Sequence, residues 1–77
     1  MYVIIELQTD VEGHTSIIPT TKSTESLGYQ EYYRVLGAAA VSNVYRHAAI
    51  FMNEQGLPIE TKCFKHPAVE PEPEVIE

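Results

Sequence analysis

The chain has 77 residues, a single cysteine and a formal net charge of −6. A domain this small buries roughly 60–65% of its unfolded surface, so its stability is expected to lean on a partner. Cys63 alone excludes an intrachain disulfide and fits a reducing compartment, no basic stripe favours nucleic acid, and no apolar run approaches the roughly 20 residues that cross a bilayer.

Met1 is followed at once by Tyr2-Val3-Ile4-Ile5 and Glu6. No basic segment precedes the apolar stretch, so no signal peptide is expected and the setting is read as cytoplasmic. Tyr2 to Thr9 is β-branched and alternates, which predicts a strand. Val3, Ile5 and Leu7 share one face, which is expected to lie under a helix. Tyr2 and Ile4 mark the other face as incompletely polar. Asp10 to His14 is a turn built on Gly13. Thr15 to Lys22 is a second strand that pairs back as a hairpin. Pro19 cannot donate to a ladder, which places that strand at an edge.

Thr24 to Asn43 is the one long helical stretch. Tyr29, Tyr32, Tyr33, Leu36, Ala39, Ala40 and Asn43 recur at spacings of three and four, as one buried face requires. Ser23 or Thr24 caps its start, Glu25 complements the dipole, and Asn43 is the expected stop. Gly37 costs about 1 kcal/mol in a helix interior and is read as a close-contact position. The tyrosines are expected to pack with their hydroxyls reaching water.

Val44 to Met52 is apolar on both faces, which predicts a strand buried on both. Asn53-Glu54-Gln55-Gly56 is a hairpin turn, with Gly56 supplying a positive φ. Leu57 to His66 is the fourth strand. The order ββαββ predicts an α+β domain over residues 1–66, a four-stranded antiparallel sheet in the order 2-1-3-4 with one helix on one face. Half of such a sheet remains uncovered, so a homodimer or higher oligomer is expected. Residues 67–77 hold four of the glutamates and three of the prolines and are expected to form a disordered tail.

The metal-ligand candidates are His47, Cys63 and His66. If the second hairpin pairs Asn53 with Leu57 around three residues, His47 lies opposite Cys63. His66 then falls on the other face of the strand. The three lack a paired spacing, so the set is read as structural, with no metal and no cofactor expected. A Cys–His nucleophile pair at the same positions has no third group or oxyanion donor. Glu6, Glu31 and Glu60 read as solvated carboxylates, and His14 as an exposed turn residue. No phosphate-cradling glycine loop and no Ser–His–Asp ordering is present.

The run VLGAAAVSNVYRHAAIFM, opened by YVIIELQT and closed by CFKH, resembles a group of small uncharacterised proteins from phages and prophages of gut Firmicutes. The matching positions are Glu6 to Thr9, Tyr32, Leu36, Ala38 to Ser42, His47, Cys63 and His66. Gly37 departs from the all-alanine run of that group. The resemblance spans most of residues 2–66 and implies a phage origin, with no substrate attached.

Three functions compete on this reading. The first is a non-enzymatic phage protein that binds a host protein stoichiometrically in the host cytoplasm, including as a defence antagonist. The second is a structural or assembly accessory of the virion. The third is an oligomeric sponge for a nucleotide-like ligand, using Tyr32, Tyr33, Arg34 and Arg46 between protomers. An enzyme is the weakest reading, since no nucleophile and base are paired. Tyr2, Ile4, Tyr32, Tyr33, Arg34, Arg46, His47, Cys63 and His66 are the candidate ligand or interface residues. The expected partners are a second copy and a host or phage protein, not nucleic acid or membrane.

Overall fold

The structure, a computed structural model, describes residues 1–67. The elements are β1 (Tyr2–Thr9), β2 (Thr15–Lys22), α1 (Glu25–Ala40), β3 (Arg46–Asn53) and β4 (Pro58–Lys65). The strands form one antiparallel sheet in the order β2-β1-β3-β4, and α1 packs on one face. This is the expected α+β, ββαββ architecture, with proline-bearing β2 at an edge. The expected tail lies outside the described residues except for Pro67.

Both hairpins use one turn chemistry. Asp10 accepts from the backbone N–H groups of Glu12 and His14 at 2.9 Å through one carboxylate oxygen. Asn53 accepts from Gln55 at 2.9 Å and Leu57 at 3.0 Å through its amide oxygen. Each loop closes on a glycine in the left-handed region, Gly13 at φ 92° and Gly56 at φ 86°. A side chain there would be strained, which is why glycine ends both turns.

Helix α1 begins at Thr24, whose hydroxyl accepts from the Leu27 N–H at 3.2 Å. It stops at Ala40 with Val41 as its C-cap, three residues before the expected Asn43. The buried helical residues are Gly28, Tyr32, Val35 and Ala39, while Tyr33 and Ala40 are exposed. The covered stripe is therefore turned from the expected one, with Val35 inside and Tyr33 outside.

The core is Ile4, Tyr32, Val35, Ala49 and Phe51, with Tyr2, Tyr29 and Leu36 packed around it. Phe51 is its centre. Tyr29 meets the ring edge-on at 4.6 Å between centroids, and Tyr2 and Tyr32 each lie at 5.8 Å. Gly28 admits this ring: a Cβ there would sit 2.6 Å from Phe51 Cε1. A Cβ on Gly37 meets nothing within 4 Å, so the close-contact glycine is Gly28 and the Gly37 expectation is corrected.

The sheet faces are also reversed from expectation. The helix covers Tyr2, Ile4, Glu6 and Gln8 of β1, and the face with Val3, Ile5 and Leu7 is the open one. Tyr2 and Ile4, expected at an interface, are core residues, with Ile4 only 1% exposed. The cause lies on β3, where Phe51 and Ala49 pair with Ile4 and Glu6 and fix which side carries the aromatic volume. In-register neighbours of an antiparallel sheet point the same way.

Candidate functional site

The polar centre of the protein lies where the end of α1 meets β1 and β3. His47 is 3% exposed, the one polar or charged residue buried among the described residues. Its Nε2 lies 2.6 Å from Glu6 Oε2, and its Nδ1 lies 2.8 Å from Ser42 Oγ. Gln8 donates to the same Glu6 oxygen at 3.0 Å. The Val44 N–H donates to Ser42 Oγ at 3.3 Å. No buried side-chain polar atom lacks a partner among the described residues.

Each member is positioned by a local rule. Gln8 faces His47 across the β1–β3 ladder, which leaves Glu6 two residues away on the same face. Ser42 follows the helix and is turned inward, its Oγ also 3.4 Å from the Ala39 carbonyl. Burial opposes the charge on Glu6. Hydrogen bonds from His47 and Gln8, with the charges of His47 and Arg34, outweigh it and hold the carboxyl below its ordinary value. An ionised Glu6 accepts, so His47 Nε2 carries a proton toward it. The Ser42 hydroxyl then rotates to suit Nδ1: it donates to a bare nitrogen, or accepts from N–H and turns its own proton to Ala39.

His66 seals the same end. Its Nε2 donates to the Ala39 carbonyl at 2.8 Å, and its ring stacks on Phe64. An imidazole donor at a helix C-terminus satisfies a carbonyl that the helix leaves unpaired.

Ser42, His47 and Glu6 have the connectivity of a hydroxyl–imidazole–carboxylate relay, which the sequence reading did not find. Their surroundings oppose nucleophilic chemistry. The hydroxyl abuts a helix C-terminus, where partial negative charge disfavours a developing oxyanion. The imidazole is sealed from solvent. Glu6, read from sequence as a solvated carboxylate, is the anchor of a buried link between β1, β3 and the segment after α1.

The remaining candidates are dispersed. Asn53 does bond Leu57 around a three-residue loop, with its N–H 3.1 Å from the Leu57 carbonyl. A bulge at Phe51/Met52 then shifts the register, so His47 faces Phe64 and Cys63 faces Ala48. Cys63 thus stands on the open side of the sheet, and the expected His47–Cys63 pairing is corrected. His66 lies with His47 on the helix side. Tyr32 is 1% exposed, Arg34 pairs with Glu31 on the helix surface, and Arg46 leans on the Tyr45 ring at 5.4 Å. The Tyr32, Tyr33, Arg34 and Arg46 ligand set therefore does not converge within one protomer.

A cleft of about 340 Å³ adjoins the polar centre, walled by Gln8 and Ser16 of the sheet, the Asp10 and His14 turn, and Asn43 to Tyr45. Asp10, Glu12 and His14 bring their ligand atoms within 4.8 Å of one another there, all exposed. Asp10 is held below its ordinary value first by the hydrogen bond from the His14 backbone. The Asn53 turn makes the same backbone contacts, so the grouping follows from turn chemistry. No helix among the described residues is long and apolar enough to cross a membrane. No known protein family, curated protein or solved structure matches the chain.

Proposed function

We propose that this chain is a non-enzymatic binding protein, encoded by a phage, that acts stoichiometrically on a host protein in the host cytoplasm. One observation carries the reading: the buried polar side chains are spent on structure, while several large apolar ones are left uncovered. His47, Glu6 and Ser42 lock one another, and His66 seals the helix end. Against this, Tyr33 is 56% exposed, Val11 55% and Val41 85%. A surface of that kind gains free energy by being covered. The sequence resemblance supports a phage origin, on which the host is the source of the target and a defence component one such target.

The helix side offers the target surface. Helix α1 lies over β1 and β3, which leaves Ile18 of β2 and Leu27 at the helix start 44% and 43% exposed. A protein contact there needs no reacting group.

The test is a titration. Purified chain added to the isolated host target gives a complex of fixed stoichiometry, and the target's activity falls linearly until one equivalent is reached. Ile18→Asp with Leu27→Asp weakens the complex without changing the fold seen by circular dichroism. Turnover of the target at substoichiometric chain, or recovery of the chain only inside purified virions, defeats the reading.

A further inference from the structure

We infer that the helix-free face of the sheet is the contact surface of a two-fold homodimer, in which a second copy stacks face to face with its strands running in the same direction. The inference stands apart from any host target. Its basis is the order of side chains across that face.

The register defines four rows. The first is Thr15, Thr9, Arg46 and Lys65; the second is Ile17, Leu7, Ala48 and Cys63. The third is Pro19, Ile5, Ile50 and Thr61; the fourth is Thr21, Val3, Met52 and Pro58. Three rows are apolar or nearly so, and the charges sit at one end. Strands about 4.8 Å apart and residues rising about 3.3 Å give a face of about 19 by 26 Å in plan. With side-chain relief this approaches the roughly 800 Å² per partner of a specific interface. The chain's own core, centred on five buried side chains, is small by comparison.

Two face-to-face two-folds are available. An axis along the strands reverses the strand order and keeps each row over itself. Ile17 then meets the partner's Cys63, and Leu7 meets the partner's Ala48, large on small in both directions. Ile5 meets the partner's Ile50, and Val3 meets the partner's Met52. Arg46 lies over the partner's Thr9, at a rim open to water. An axis across the strands exchanges the ends instead. It sets Arg46 on the partner's Met52, which desolvates a charge with nothing to pair it. The row order therefore selects the axis along the strands, and the two layers stack about 10 Å apart.

The test uses the full chain. Sedimentation shows a dimer at micromolar concentration, and the midpoint of thermal unfolding rises with concentration. Ile5→Lys weakens association by at least ~100-fold through the charge it buries. A short bis-maleimide links Ile17→Cys to Cys63 as a covalent dimer. The link is absent from Ile17→Cys/Cys63→Ser and from the native chain, whose two Cys63 lie on opposite margins. A monomer with a concentration-independent midpoint overturns the inference. So does a dimer indifferent to Ile5→Lys, or one without the link from residue 17 to residue 63. A monomer whose Cys63 is nonetheless slow to react assigns the face to residues 68–77 and equally overturns it.

Discussion

Two glycines in one helix have opposite meanings. Gly28 faces the Phe51 ring, and an added methyl collides with it at 2.6 Å. Gly28→Ala is expected to destabilise the fold by about 1–3 kcal/mol, the usual cost of overpacking. Gly37 faces open space, so Gly37→Ala should stabilise by about 0.5–1 kcal/mol through helix propensity. Denaturant unfolding of the two variants at equal chain concentration checks both signs. Sequence periodicity alone does not tell these glycines apart, because the distinction depends on where an aromatic ring from β3 arrives.

Glu6 makes a second prediction at this scale. Its folded carboxyl titrates below the ordinary value of 4.5. The folded state therefore binds the Glu6 proton less readily than the unfolded chain does. The stability this contributes is present above pH 4.5 and is lost as pH falls through the lower folded value. Glu6→Gln should flatten that acid limb while lowering stability near neutrality. Midpoints of unfolding measured across the acid range decide it; an unchanged limb removes Glu6 as its source. The His47 and Ser42 link to Glu6 was not legible in the sequence. Ser42 lies in the loop after α1 and His47 five residues on, in β3, so no single periodicity relates them, and Glu6 joins them only through the β1–β3 register.

At the scale of elements, the helix start was legible and its stop was not. Thr24 caps α1 as its side-chain chemistry requires, and Thr24→Ala should cost about 1 kcal/mol in unfolding free energy. The stop depends on contacts from elsewhere. The Ala39 carbonyl accepts from the His66 ring, and Ser42 is drawn toward His47, so the chain leaves the helix before Asn43. The hairpins were legible because Asp10 with Gly13 and Asn53 with Gly56 repeat one turn. The bulge at Phe51/Met52 was not. It moves Cys63 from the side of His47 to the opposite face, and with it the only thiol out of reach of the only buried imidazole among the described residues.

At the scale of the molecule, the sheet has one face filled with aromatic volume and one left apolar and open. Cys63 reports on the open face. Its reaction with a maleimide should slow as chain concentration rises through the association range, and Ile5→Lys should abolish that dependence. Rates measured by mass shift over a dilution series give the answer. In the proposed dimer, covering this face would add the burial that a 77-residue chain with a single cysteine gains from no intrachain disulfide.

The order of elements, the antiparallel topology, the edge position of β2 and the presence of an uncovered face were determined by the sequence alone. Each follows from alternation, turn residues and the single proline of β2, which are local. Which face the helix covers was decided only by tertiary structure. Both sides of β1 are apolar enough to be buried, so local pattern leaves them nearly equivalent. The choice falls to volume and hydrogen bonding: Phe51 fits against Gly28, and Glu6, Gln8 and His47 find partners only where the helix ends.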